Sequence, residues 1–239
     1  MISVLVRTRD EAHRICQFCE AYKEADKILV ADGGSEDNTI ELALQYPNVE
    51  VRRYEKRVNL KAGYWRNPED DHINFLIAWA KEINSDWIIF DDCDCRPNYL
   101  LKQDYIRILQ ETDKDFVMVT RLYLWGLTQH FTYLCKPGAT HTKYEPSLWA
   151  WRTALDFWAV DSPPAFMFRL GEMVIRDWHY GVNVLELFPP YCLLHFSWDD
   201  PERVERKMKF YRESGLIPGQ RHPLDYGSPL EPLPEWARE

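Results

Sequence analysis

The sequence sets three acidic residues directly behind a short apolar run: Trp87-Ile88-Ile89-Phe90, then Asp91-Asp92-Cys93-Asp94. Asp92 and Asp94 lie two apart, and carboxylates that close repel each other unless a cation or a shared proton relieves them. A hard divalent ion such as Mg²⁺ or Mn²⁺, itself shared with a phosphate, is the usual relief. Metal-assisted handling of a phosphate is therefore the chemistry this spacing offers, and a solvated acidic turn is the alternative. Asp91 shares the strand face of Ile89, so alternation turns it away from Asp92 and toward packing. A further carboxylate, Asp32, closes the run Ile28-Leu29-Val30-Ala31. It can accept hydrogen bonds from a base or ribose edge, or it can cap the turn that follows.

These side chains need elements to hold them. Residues 2–7 read as a strand, followed by a helix to about Lys23, with Thr8 or Asp10 as its cap and Glu11 in its first turn. A second strand over 27–31 leads into Asp32-Gly33-Gly34-Ser35, where glycines permit tight turning. A helix over 37–45, capped by Ser35 or Asp37, stops at Tyr46-Pro47-Asn48, and 49–54 alternates as a third strand. Strand-helix-strand-helix-strand predicts a parallel sheet, and the run 87–90 adds a buried strand to it. Carboxylates at the carboxyl ends of such strands sit where open α/β sheets bind ligands. No G-x-G-x-x-G follows the first strand, which argues against a dinucleotide cofactor.

With 239 residues the chain has ample material for a large core. The net charge of −9 disfavours a protein that grips nucleic acid over a broad basic face. Its six cysteines are too few and too uneven for a disulfide scaffold, and their spacing does not suit a zinc ribbon. Residues 2–6 are too short and too alternating for a secretory or membrane segment, so the sequence predicts a cytoplasmic protein.

The stretch Asp32-Gly33-Gly34-Ser35-Glu36-Asp37-Asn38-Thr39 resembles the D-x-G-S-x-D-x-T of family 2 nucleotide-sugar glycosyltransferases. Asp92-Cys93-Asp94 falls where that family has its D-x-D. Thr8-Arg9-Asp10-Glu11 is similar to its opening T-x-N-E, with Asp10 in place of the usual Asn. The likeness covers about the first hundred residues. It implies an α/β GT-A fold with a Rossmann-like, mostly parallel sheet flanked by helices, and an irregular acceptor-side second half. It implies a nucleotide diphosphate-sugar donor, UDP-sugar favoured, and an Mn²⁺ or Mg²⁺ ion. Carried onto this chain, Asp32 contacts the base, and Thr8, Arg9 and Glu11 line the nucleoside pocket. Asp94 ligates the metal and Asp92 faces ribose or metal. The family's Asn at the start of the helix before the acidic strand is matched to Asn74, by its distance from that strand, in preference to Arg66-Asn67. In several GT-A enzymes a late His completes the metal shell. His195, ending the run Tyr191-Cys192-Leu193-Leu194, fits that place by context, with His179 as competitor.

The polar stretch 55–70 offers cations, Lys56, Arg57, Lys61 and Arg66 among them, to phosphate or sugar, or else to solvent. Residues 97–111 read as a helix that starts on proline, and 115–120 as a strand. Short strands are expected near 121–125, 130–135 and 165–169. Trp149 and Trp151 would share a strand face, more often for packing than for stacking on a sugar. An inverting transfer needs a base for the acceptor hydroxyl, and Asp156 or Asp161, ahead of Glu172, are its candidates. Lys207, on a charged helix after His195, meets phosphate or solvent. The expected organisation is one domain over 1–214, with a nucleotide-binding half (1–110) and an acceptor-side half (111–214). A proline-rich tail (215–239) would lie on the surface or stay partly loose. A nucleotidyltransferase, which usually carries a glycine-rich basic loop after its first strand, and a non-catalytic nucleotide-sugar-binding module are the rival readings. The acceptor stays open among glycan, small molecule, protein and a modified DNA base.

Overall fold

A computed structural model describes residues 1–131, 134–136, 139–141, 146–162, 165–175, 182–198, 200–215 and 230–237. The first half alternates as expected: β1 (Ile2–Thr8), α1 (Ile15–Ala21), β2 (Lys27–Asp32), α2 (Thr39–Ala43) and β3 (Val49–Arg53). A small hairpin, β4 (Val58–Asn59) and β5 (Trp65–Arg66), precedes α3 (Glu69–Glu82) and β6 (Trp87–Phe90). Then come β7 (Cys95–Pro97), α4 (Tyr99–Glu111) and the long β8 (Phe116–Trp125). The second half is mostly strands: β9 (Gln129–Phe131), β10 (Leu134–Lys136), β11 (Ala139–His141), β12 (Pro146–Arg152), β13 (Phe157–Ser162), β14 (Ala165–Leu170), β15 (Met173–Ile175), β16 (Val184–Leu187) and β17 (Leu193–Trp198). Helix α5 (Pro201–Ser214) and β18 (Leu230–Pro232) complete it.

The main sheet runs β18-β9-β8-β12-β6-β1-β2-β3. Strands β3, β2, β1 and β6 are parallel, so their carboxyl ends share one edge. Both faces of this part are covered, which is why Val4-Leu5-Val6, Ile28 to Ala31 and Ile88-Ile89 are apolar without alternation. Strand β12 enters antiparallel between β6 and β8, while β16 and β17 run parallel to β8. One apolar core packs α1 and α4 against the sheet; the other packs α3 with β13 and β14 on the opposite face. In α3 the buried positions His72, Ile73, Leu76, Ile77, Trp79 and Ala80 form the stripe that helical period demands. Among the described residues no helix is long and apolar enough to cross a membrane.

Four local expectations change. Helix α1 starts at Ile15, because residues 10–14 are drawn aside into loop hydrogen bonds and Asp10 has φ +56°. Helix α4 starts at Tyr99, because β7 pairs with β17 and Asn98 caps the helix by accepting from the Leu101 amide (3.2 Å). Trp149 and Trp151 do not share a face. A bulge between Leu148 and Ala150 sends Trp149 into the core under α1 and α4, and Trp151 into the α3 core. Both rings are buried, so neither is open to a sugar. Within the predicted tail, 216–229 lies outside the described residues, but β18 pairs with β9, and Asn98 Nδ2 donates to the Trp236 carbonyl (2.7 Å). Backbone hydrogen bonds therefore tie residues 230–237 into the sheet.

Candidate active site

The carboxyl ends of β1, β2 and β6 bring the predicted carboxylates to one edge. Thr8 and Asp32 are register partners at the ends of β1 and β2. Asp32 is fully buried, and its carboxylate accepts from the Gly34 amide (3.0 Å), the Ser35 amide (3.1 Å) and the Ser35 hydroxyl. It therefore caps the turn and, with Gly34, Arg53, Tyr54, Glu55 and Arg57, also lines a cavity of about 260 Å³. Behind this wall Tyr54 stacks on His72, ring centroids 4.2 Å apart, and His72 Nε2 meets the Ala31 carbonyl at 3.0 Å. Burial, with Arg7 nearby, pushes the His72 pKa down to about 4, so the ring is neutral and donates through Nε2. The Thr8 hydroxyl is buried and has no hydrogen-bond partner among the described residues.

The loops after β1 and β2 are laced together. The Asp10 amide donates to Ser35 Oγ (3.0 Å), and the Glu36 amide to Asp10 Oδ1 (2.8 Å). The Ala12 amide donates to Asp37 Oδ2 (3.1 Å), and the Glu11 amide to Thr39 Oγ1 (2.8 Å). Ser35, Asp37 and Thr39 thus serve the neighbouring loop as well as their own.

The second cluster gathers after β6. Pairing of β7 with β17 sets His195 opposite Cys95, and the Phe196 amide donates to the Asp94 carbonyl (2.7 Å). His195 Nε2 then lies 3.4 Å from Asp94 Oδ1, and Arg14 Nη1 lies 3.6 Å from Asp94 Oδ2. Burial opposes the charge on Asp94, but His195, Lys207 and Arg14 outweigh it and hold the carboxyl well below the usual range. Arg7 donates to Asp92 Oδ1 (2.9 Å) and lies 3.9 Å from Glu69. Glu11 faces this cluster: burial, then Asp94, pushes it up to about 8. Asp91 turns inward as expected, accepting from the Tyr22 hydroxyl (2.7 Å) with Arg121 at 3.6 Å.

Ligand atoms of Asp94, Cys95 and His195 lie within 4.8 Å of one another. Adjacent donors on a six-coordinate ion of this size are about 3 Å apart, close to the Asp94–His195 separation. Burial pushes the Cys95 thiol far above its ordinary value, so it stays protonated and donates to Asp94 (3.9 Å). One carboxylate and one imidazole fit Mn²⁺ or Mg²⁺, with the nitrogen favouring Mn²⁺.

Several candidates take other places. Asn74 is committed to packing: its Nδ2 donates to the Ala159 carbonyl and its Oδ1 accepts from the Ala159 amide, both at 2.8 Å, bracing β13 on α3. Asn67 instead approaches the Asp32 corner, its Oδ1 only 2.2 Å from where a Cβ on Gly33 would stand. Asp156 is at the wrong end of the sheet. Strand β12 runs antiparallel to β6 and ends with Arg152 opposite Trp87, so Asp156 follows at the edge remote from Asp91–Asp94. It accepts there from Trp158 Nε1 (2.7 Å), and the Glu172 turn is tied to it through Gly171. Asp161 pairs with Phe166 in the β13–β14 hairpin; its side chain, like all of His179, lies outside the described residues. Arg9 lies over the Trp65 ring, 4.3 Å from its centroid. Sequence reading missed Arg7 and Arg14. Arg14 carried a signal, since it shares the helical stripe of Phe18, Ala21 and Tyr22, and a charge on a buried stripe needs a partner.

The model of glycosyl transferase family 2 matches residues 3–131. No curated protein matches the chain. Among solved structures, S. aureus TarS 1–349 in complex with UDP is 16% identical over 92% of this chain and 67% of that one, with a TM-score of 0.50. S. aureus TarS is 15% identical over 89% of this chain and 40% of that one, also at 0.50. Glucosyl-3-phosphoglycerate synthase from Mycobacterium tuberculosis, in complex with Mn²⁺, UDP and glucosyl-3-phosphoglycerate, is 20% identical over 52% and 44%, at 0.39. The chain spans between 35% and 67% of the length of such neighbours. The TarS likeness shows a shared fold.

Proposed function

The chain belongs to glycosyl transferase family 2, and on that premise we propose that it moves a sugar from a nucleotide diphosphate-sugar, UDP-sugar favoured, to an acceptor hydroxyl with inversion. The observation that carries this reading is the meeting of Asp94 with His195, backed by Arg14 and Lys207, on the same sheet edge as the Asp32 cavity. Asp94 and His195 would hold the divalent ion, which when bound neutralises charge on the leaving diphosphate. Lys207 is drawn toward Asp92 and Asp94, and with Arg14 it adds fixed positive charge where phosphate oxygens would lie. Arg7 holds Asp92 in place through its 2.9 Å bond, leaving that carboxylate partly open toward the ribose. The base for the acceptor hydroxyl is assigned to Asp161. From Leu155, bonded to Lys81 near the end of α3, the chain enters β13, which passes Asn74 and heads toward the α3 start where Glu69 meets Arg7. Asp156 is withdrawn from that role by its place at the opposite edge.

The test is a sugar-transfer and donor-hydrolysis assay over a panel of nucleotide-sugars, with and without Mn²⁺. Metal-dependent release of a nucleoside diphosphate supports the reading. Release of pyrophosphate from a nucleoside triphosphate and a sugar phosphate would instead establish a nucleotidyltransferase. Metal-dependent binding without turnover would leave a nucleotide-sugar-binding module.

A further inference from the structure

A second cavity, of about 240 Å³, lies where α1, β7 and the start of α4 meet. Its wall holds Gln17, Glu20, Arg96, Pro97, Tyr99 and Lys102, none of which the proposed transfer employs. Two cations therefore face one carboxylate, in a chain whose net charge is −9. Glu20 is itself answered: Lys23 Nζ lies 2.8 Å from Glu20 Oε1, and Lys102 Nζ lies 3.8 Å from the same oxygen. The cavity is thus positive on balance and suits an anion. Arg96 is fixed from two sides. Its Cζ lies 3.9 Å from the centroid of the buried Phe196 ring, and its Nη1 donates to Gln17 Oε1 (2.6 Å). A guanidinium carries five N–H donors in a rigid fork, more than one amide oxygen can take. Tyr99 and Lys102 are three apart in the first turn of α4, so they share one face of it. Tyr99 is 55% exposed, yet its hydroxyl is anchored, accepting from Gln103 Nε2 (2.6 Å). A ring held open in this way, with Pro97 in the same wall, offers an apolar face and a phenolic O–H that can donate.

We propose that this cavity binds a monosaccharide bearing one oxyanion group, a phosphate or a carboxylate. Arg96 and Lys102 take the oxyanion through charge-assisted hydrogen bonds. Tyr99 covers the apolar face of the sugar ring. Gln17, Glu20 and the Tyr99 hydroxyl surround the rest with polar groups, which a hydroxylated ring can satisfy and a flat aromatic acid cannot. The volume sets the size: pockets for drug-sized ligands begin near about 300 Å³, so this one holds a single ring and not a chain. The cavity is separate from the Asp94 cluster but mechanically joined to it. Arg96 follows Cys95 in β7 and pairs with Leu194, the residue before His195. Phe196, on which Arg96 rests, donates its amide to the Asp94 carbonyl (2.7 Å) and accepts at its own carbonyl from Arg14 Nη2 (2.8 Å). An occupant that clamps Arg96 therefore braces the strand pair that carries Asp94 and His195.

The test is an amide NMR titration of the full chain with hexose phosphates, hexuronates, neutral hexoses, inorganic phosphate and benzoate, for the wild type, Lys102→Gln and Tyr99→Ala. Tyr99 is exposed and Lys102 partly so, and melting temperatures check that both variants stay folded. At least one anionic sugar should bind about tenfold or more tighter than its neutral parent, with shifts centred on 17–21 and 96–103. Binding by hexose phosphates alone, or by hexuronates alone, supports the site and identifies its oxyanion. Lys102→Gln should weaken that ligand by about tenfold. Tyr99→Ala should weaken it by about threefold or more and leave any binding of inorganic phosphate unchanged. Neutral hexoses binding as well as the anionic ones would overturn the proposal, as would inorganic phosphate or benzoate binding more tightly than every sugar. Shifts centred on 32–37 or 92–94 would overturn it by placing the anion at the other sheet edge cluster. Full affinity in Lys102→Gln, or no saturable shift with any ligand up to about 10 mM, would overturn it as well. The transferase reading stands or falls separately, on its own assay.

Discussion

At the scale of single residues, the decisive pair is Asp94 and His195. Asp94 stays ionised in a buried place because His195, Lys207 and Arg14 offset the cost of burial. Asp94→Ala should therefore lower kcat/KM for transfer by about 100-fold or more at any Mn²⁺ concentration. His195→Ala should instead raise the Mn²⁺ concentration needed for half-maximal rate. An unchanged metal titration in the second variant would remove His195 from the metal shell. Asp10 carries a different burden. Its φ of +56° costs an ordinary side chain about 1–2 kcal/mol, yet its carboxylate and amide tie the β1 loop to Ser35 and Glu36. This explains why Asp can stand where the family has Asn, since both tolerate this backbone. In urea unfolding, Asp10→Asn should change stability by less than about 0.5 kcal/mol, and Asp10→Val should cost about 2 kcal/mol. Equal stability of the two variants would show that the loop relaxes.

At the scale of elements, α3 is locked to the sheet by a neutral histidine. His72 titrates near 4 when folded against an ordinary 6.5, so the unfolded chain binds the extra proton between those values. The stabilisation is fully present above pH 6.5 and is lost as pH falls toward 4, about 3 kcal/mol over the window. His72→Phe keeps a ring against Tyr54 and should flatten the dependence of stability on pH in that range. A variant with the wild-type slope would place the acid sensitivity elsewhere. The strands that position Asp32 and Asp92–Asp94 were legible because buried parallel strands are short apolar runs with turn residues behind them. What alternation could not reveal is the bulge at Trp149, where one extra residue reverses the faces of the two tryptophans. Asn74 misled for a related reason. Its spacing from β6 suited a ligand contact, but the backbone of β13, far along the chain, takes both its polar atoms. The partners of Asp94 likewise come from the residue ahead of α1, from β17 and from α5, and a sequence states the residue types without stating that long-range pairing.

At the scale of the molecule, the β4–β5 hairpin of the first half is joined to the helix that brings Lys207 to the acidic cluster. The turn between β4 and β5 presents Tyr64, whose hydroxyl donates to Glu213 Oε2 (2.7 Å) and whose ring meets Phe210 edge-on, centroids 5.3 Å apart. Phe210 and Glu213 lie one and two turns beyond Lys207 on α5, so holding them fixes the reach of that lysine toward Asp92 and Asp94. The same hairpin carries Trp65, against which Arg9 and Arg57 rest. Displacing it would disturb the Asp32 cavity and the Asp92–Asp94 cluster together. Tyr64→Phe removes only a hydrogen bond between exposed groups, worth about 0.5–1 kcal/mol, and should leave donor affinity within about threefold. Tyr64→Ala also removes the ring packing. It should raise amide exchange in 204–214, weaken donor binding by about tenfold, and leave the urea midpoint nearly unchanged, because the contact lies outside both large cores. Faster exchange in α5 without weaker donor binding would mean that Lys207 does not depend on this brace. Unchanged exchange would mean that the apolar cluster around Val204, Met208 and Phe131 holds the helix in place without this brace.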